Sequence, residues 1–194
     1  DAGGMVTHFI CMFTDLSQSK AREQQIEFLA GHDPLTGLAN RDSFVVQLEA
    51  VREQAMASGE RFAVLQLNLD RFKEVNDSYG HAVGDAVLCH IAGQVEQALR
   101  PGDLIARLAG DEIAVLARNL RHADGAAAVA RNLMEAVGKP WRAPEGFEVV
   151  AGASVGICMF PEQMESAEAL MQGAHSAVYG AKALGRGAWC FYEV

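Results

Sequence analysis

The segment FAVLQLNLD, residues 62–70, alternates with a period of two. Ala63, Leu65, Leu67 and Leu69 share one face, and Phe62, Val64, Gln66, Asn68 and Asp70 share the other, so the spacing predicts a strand that turns polar on one side at its end. Before it, Phe44, Leu48, Val51 and Ala55 recur at helical spacing behind Asn40, a good N-cap residue. After it, VNDSYGHAVGD (75–85) reads as a loop, followed by a helix with the stripe Val87, Ile91, Val95 and Ala98 or Leu99, closed by RPGD. A hairpin is expected next, with strands near 104–108 and 113–117 and AGDE at its tip. A helix over 123–137, a strand near 148–158, a helix starting at Glu165 or Ser166 and a last strand in AWCFYEV complete the order. Helices and strands in this order predict an α+β fold, a mostly antiparallel sheet covered by helices.

Two elements precede this unit. MVTHFICMF (5–13) reads as a strand rich in branched and aromatic residues. A polar helix capped by Asp15 or Ser17, with Ile26 and Leu29 as its main apolar positions, is too polar for a core and reads as a connector.

Composition narrows the function. Of 194 residues half are hydrophobic, enough for a real core, and 16 basic against 25 acidic residues leave a formal charge of −9. That balance argues against nucleic-acid polymers and anionic membranes, although a mononucleotide needs only a few local cations and a metal. No apolar run reaches the roughly 18 residues of a membrane span, and the first residues lack a basic leader, so a cytoplasmic location is expected. Cys11, Cys89, Cys158 and Cys190 are widely spaced, which suggests buried free thiols rather than disulfides or zinc.

The chemistry gathers at two strand ends. If the hairpin flanks the first strand, Asn68 and Asp70 meet Asp111 and Glu112, and converging oxygen ligands suit Mg²⁺. Taken alone, the two tip acids are ordinary turn formers. Neither a P-loop nor a dinucleotide-binding glycine pattern is present, and the six histidines, His90 among them, form no catalytic arrangement.

Four segments, in order and in register, carry a resemblance: DPLTGLANR (33–41), LNLDRFKEVNDSYGHAVGD (67–85), RPGDLIARLAGDEIAVL (100–116) and YGAKALGRG (179–187). Residues 32–194 resemble the GGDEF domain of diguanylate cyclases, while residues 1–16 resemble the tail strand of a PAS-like sensor and 17–31 its signalling helix. The resemblance implies a palm-like, nucleotidyl-cyclase-type fold with a central five-stranded sheet. It also implies a homodimer in which two GTP molecules are joined into cyclic di-GMP with Mg²⁺ or Mn²⁺ as cofactor. By the same pattern Asn76 and Asp85 read the guanine edge, and Phe72, Lys73, Lys182 and Arg186 complete the substrate site, the three cations on the phosphates. Asp111 and Glu112 act as catalytic and metal-binding acids, the Leu69 backbone joins the metal set, and Arg100 with Asp103 forms an inhibitory product site.

The chain departs from the pattern at three places. Ala109 replaces the first glycine of the signature and adds only a methyl, and Ile113 replaces a phenylalanine at a strand position. Asn68 is the serious change, because the family carries a metal-binding acid there and an amide brings no negative charge. Asp70, two residues on and on the same face, is the candidate substitute. Two readings follow: a cyclase weakened by Asn68, or a catalytically inactive GTP- or cyclic di-GMP-sensing domain that controls an upstream PAS domain or a downstream phosphodiesterase.

Overall fold

A computed structural model describes residues 28, 30–161 and 166–193. The strand expected over 5–13, most of the connector helix and Cys11 lie outside these residues. Helix α1 (Arg41–Ser58) starts at Asn40, whose side-chain oxygen accepts the Ser43 N–H at 2.9 Å, and it stops at Gly59, a left-handed residue with φ 75°. It buries Phe44, Leu48, Val51 and Ala55. Strand β1 (Phe62–Asp70) follows, then α2 (Phe72–Tyr79), α3 (His81–Ala98), and the hairpin β2 (Leu104–Ala109) and β3 (Glu112–Ala117). Helix α4 (Ala123–Val137), the short strands β4 (Trp141–Arg142) and β5 (Glu148–Val149), and β6 (Gly152–Phe160) come next. Helix α5 (Ala167–Ala183) and β7 (Trp189–Phe191) complete the described elements.

Five strands form one sheet in the order β2-β3-β1-β6-β7, and only the β6–β7 pair is parallel. This is the expected α+β architecture, with β1 at the centre. Both faces of β1 are covered. Ala63, Leu65, Leu67 and Leu69 pack with Val87, Ile91 and Val95 of α3 and with Leu133 and Val137 of α4. Phe62 and Val64 pack on the other side with the α1 stripe and with Leu170, Met171 and Ala174 of α5. Burial of these two apolar layers, at about 25 cal/mol per Å², is the main force holding the sheet between its helices.

Two expectations need correction. The segment expected as a loop at 75–85 is mostly helical, because Arg71 in the left-handed region (φ 57°) turns the chain from β1 straight into α2, and Gly80 (φ 84°) turns it again into α3. The single strand expected near 148–158 is broken after Val149: Glu148 and Val149 pair with β4 in a separate ribbon, and β6 begins at Gly152 and runs to Phe160. The thiols also differ from expectation. Cys158 is buried and Cys190 half-buried, but Cys89 is exposed on α3.

Candidate functional site

The sheet order sets the site. Because β3 pairs with β1, Asn68 stands opposite Glu112, and the Leu69 N–H donates to the carbonyl of Asp111 at 3.3 Å. The hairpin tip is thereby tied to the polar end of β1.

Two adjoining cavities open there. One, of about 410 Å³, is lined by Asn68, Leu69, Lys73, Asp111, Lys182 and Arg186. The other, of about 550 Å³, is lined by Asn76, His81, Asp85, Arg107 and Gly110. Phe72, Lys73, Asp77 and Asp111 border both, so the pair forms one continuous polar surface running from the end of α5 to the start of α3. The unexpected helix α2 is what builds it, since Phe72, Lys73, Asn76 and Asp77 all come from it. Among the described residues no side chain caps the start of α2, where the Glu74 N–H turns back to the Arg71 carbonyl at 2.8 Å.

Asn76 lies against Gly84. A Cβ at position 84 would fall 1.9 Å from the Asn76 side-chain oxygen and 3.3 Å from the Phe72 ring, so only glycine permits this placement. Asp85 sits one residue further along α3, inside the helix rather than at its cap.

The remaining expected residues are placed elsewhere. Glu112 turns along the sheet toward Gln66, whose amide donates to its carboxylate at 3.1 Å, and it lines a third cavity of about 470 Å³ with Arg41 and His175. Gln66 is only 4% exposed, and its amide nitrogen also lies 3.0 Å from Nδ1 of His175. With the amide as donor, that Nδ1 accepts and the ring proton sits on Nε2. Arg100 and Asp103 lie at the far end of β2, about 20 Å of extended chain from the tip. There the Asp103 carboxylate accepts the N–H groups of Arg100 and Arg118 at 3.2 and 3.0 Å. Asp70, by contrast, borders the 410 Å³ cavity beside Asn68, and each of its oxygens accepts one bond, from the Ser154 hydroxyl at 2.8 Å and the Gly187 N–H at 3.0 Å.

Arg107 and Asp33 escaped the sequence reading. The Arg107 guanidinium donates twice to the carbonyl of Gly110, at 2.9 and 2.8 Å, and bridges both oxygens of Asp33 at 2.9 and 3.1 Å. Asp33 also accepts the Thr36 N–H and hydroxyl at 2.8 and 2.7 Å. Partial burial pushes the Asp33 carboxyl up, but the Thr36 bonds and the Arg107 charge outweigh it and hold the group below the ordinary aspartate value. The 32–40 loop thus buttresses the acidic turn, helped by the Arg107 N–H donating to the carbonyl of Ala39 at 2.9 Å. The only sequence signal was a lone arginine within the apolar strand LIARLA. Close by, burial first and then the Asp85 charge push the Cys89 thiol up, which keeps it protonated at neutral pH.

As metal ligands, Asn68, Leu69 and Asp111 offer an amide oxygen, a backbone carbonyl and a carboxylate, the hard oxygen donors a Mg²⁺-type cation takes. The set fits in kind but holds one negative charge. Among the described residues no three His, Cys, Asp or Glu side chains gather as a metal-binding group.

A helix-covered antiparallel sheet with an acidic two-residue turn beside the polar end of its central strand defines the palm-like α+β class. The chain belongs to the GGDEF domain family: residues 30–188 match the family described as diguanylate cyclase, GGDEF domain. It is 40% identical over 177 residues to MucR of Pseudomonas aeruginosa, a bifunctional diguanylate cyclase/cyclic di-GMP phosphodiesterase, covering 91% of this chain and 25% of MucR. The solved GGDEF domain of TpbB from the same organism shares 40% identity and a TM-score of 0.80, covering 84% of this chain and 94% of that one. The GGDEF domain of DgcB from Caulobacter crescentus, solved in complex with c-di-GMP, has a TM-score of 0.78 at 27% identity and covers 85% and 97% of the two chains. The chain spans 25% of MucR and 42% of full-length TpbB. Diguanylate cyclases of this family use divalent metal ions, and relatives such as MucR join cyclase to phosphodiesterase.

Proposed function

We propose that this domain binds GTP in the paired cavities at the end of β1, with its ability to form cyclic di-GMP weakened by Asn68. The observation that carries the reading is convergence: Asn76 and Asp85 border one cavity, Lys182 and Arg186 the other, and Asp111 with Lys73 stands between them. An amide and a carboxylate suit the acceptor and donor edges of guanine, while an ammonium and a guanidinium fork suit phosphate oxygens.

Joining two GTP molecules requires each 3′-oxygen to attack the other's α-phosphorus, with pyrophosphate leaving. One domain offers one such site, so the partner is a second copy in a homodimer. Asn68, the Leu69 carbonyl and Asp111 would hold Mg²⁺ or Mn²⁺, which when bound offsets triphosphate charge and polarises the reacting phosphate. Asp111 is the carboxylate beside that position; Glu112 reaches it only by leaving Gln66. GTP as substrate implies a cytoplasmic setting. A PAS-like sensor before the domain and a phosphodiesterase after it are the regulatory partners this reading anticipates.

A specific observation favours the non-catalytic alternative, a GTP- or cyclic di-GMP-sensing domain. The expected acid is absent at position 68, and Asp70, in the same cavity, already accepts from Ser154 and Gly187. Calorimetric titration with GTP, with and without Mg²⁺, tests the pocket, and a turnover assay beside Asn68→Asp tests catalysis. Turnover only in the variant favours the sensing domain, weak turnover in the unsubstituted protein that rises in the variant favours the attenuated cyclase, and equal rates in the two overturn position 68 as the limit. Absence of GTP binding in both proteins would end the nucleotide reading.

A further inference from the structure

The loop between α5 and β7 is unusual in its backbone. Gly185, Arg186 and Gly187 have φ values of 112°, 66° and 57°, three consecutive residues in the left-handed region. Two glycines take this without cost, but Arg186 carries a Cβ and is strained there. Something outside the loop must hold it. Within the loop, the Gly185 N–H closes back on the Lys182 carbonyl at 3.2 Å, and beyond it the Ala188 carbonyl accepts the Val155 N–H at 3.0 Å. The bond that crosses from the centre of the sheet is the Gly187 N–H donating to Asp70.

Asp70 is itself pinned. Its second oxygen accepts a hydrogen bond from the hydroxyl of Ser154, a residue with 0% exposure on the neighbouring strand β6. A carboxylate accepting a backbone N–H makes a stronger, charge-assisted bond than a neutral acceptor would.

We propose that Asp70 is a positioning residue for Arg186: clamped by Ser154, it grips Gly187 and so holds the strained Arg186 toward the cavity of Asn68 and Asp111 as a polyphosphate clamp. It therefore does not stand in for the missing acid at position 68. The inference rests on the reading of that cavity as a polyphosphate site. Asp70→Asn replaces one acceptor oxygen with an NH₂ and removes the charge. Ser154→Ala leaves the carboxylate but releases its clamp.

The test is calorimetric titration with GTP at a fixed and then a tenfold higher Mg²⁺ concentration, with guanosine as the phosphate-free control, on the unsubstituted protein, Asp70→Asn, Ser154→Ala, Arg186→Ala and the Asp70→Asn/Arg186→Ala double variant. GTP affinity is expected to fall about tenfold in Asp70→Asn and about threefold in Ser154→Ala, the scale of one hydrogen bond to a charged group. Guanosine affinity should not change, and in the Arg186→Ala background the Asp70 substitution should add almost nothing, since positioning has no effect without the group positioned. Should Asp70→Asn fail to fold, Ser154→Ala, alone and combined with Arg186→Ala, carries the same comparison. GTP binding indifferent to both substitutions overturns the inference, as does a loss that persists undiminished without Arg186 or that higher Mg²⁺ restores, the signature of a metal ligand. No GTP binding by the unsubstituted protein overturns the nucleotide reading along with it, whereas intact binding that ignores Asp70 overturns this inference alone.

Discussion

Asn68 differs from the aspartate the family carries by one NH₂ for one oxygen, and the consequence is charge. If the cavity holds a divalent cation against a triphosphate, as proposed, losing one carboxylate weakens the cation first. Asn68→Asp is expected to raise cyclase turnover at least about tenfold at fixed Mg²⁺, measured by product formation, with part of the gain mimicked by higher metal concentration. At position 84 the effect is steric. Gly84→Ala should push the Asn76 amide aside and weaken GTP about tenfold in calorimetry with a smaller fall in melting temperature, because the hard clash is with the Asn76 side chain while the Phe72 ring must give by only a few tenths of an ångström. Asp33 gives a pH signature. Its carboxyl is depressed in the folded protein, so its stabilisation is present above the unfolded value near 4 and is lost as pH falls through the folded value. Asp33→Asn should lower the unfolding free energy at pH 7, read from urea melts, by about 1 to 2 kcal/mol for a partly buried pair, and should flatten the decline between pH 5 and 3.

At the scale of elements, the apolar stripes were reliable wherever one face met the core. Helices α1, α4 and α5 start and end close to where their caps and stripes put them, and Asn40 shows why: its side chain caps Ser43 and also donates to the Ala30 carbonyl at 2.9 Å. Asn40→Ala should cost about 1 kcal/mol and lower the melting temperature by about 2 to 4 °C in calorimetry. Short polar elements were harder to read. Helix α2 buries only Phe72 and is as rich in turn formers as a loop, so no stripe announced it. Its helical state comes from β1 and α3, which fix its two ends. The break between Val149 and Gly152 was equally silent, because β-branched and small residues continue straight through it.

For the whole molecule, the order β2-β3-β1-β6-β7 places the hairpin tip and the α5–β7 loop on opposite flanks of the end of β1. Residues separated by more than a hundred positions, such as Asp70 and Gly187, meet there. On the proposed reading the cavities there take one nucleotide per domain, so joining two nucleotides would demand two copies. The specific activity of the Asn68→Asp variant should therefore rise with protein concentration and level off once dimers form, as read by initial rates beside light scattering. A rate per molecule independent of concentration down to monomer would contradict the two-copy scheme.

The chain by itself determined which segments pair their apolar faces, the α+β order, and which polar residues stand at strand ends, because burial acts on local periodicity and caps act within a few residues. Through its four segments it also pointed to the family. Tertiary structure alone decided which polar groups meet. It turned Glu112 to Gln66 and His175, joined Arg107 to Asp33, and committed Asp70 to Ser154 and Gly187, since hydrogen-bond partners across a sheet depend on register and crossing loops that no local pattern records.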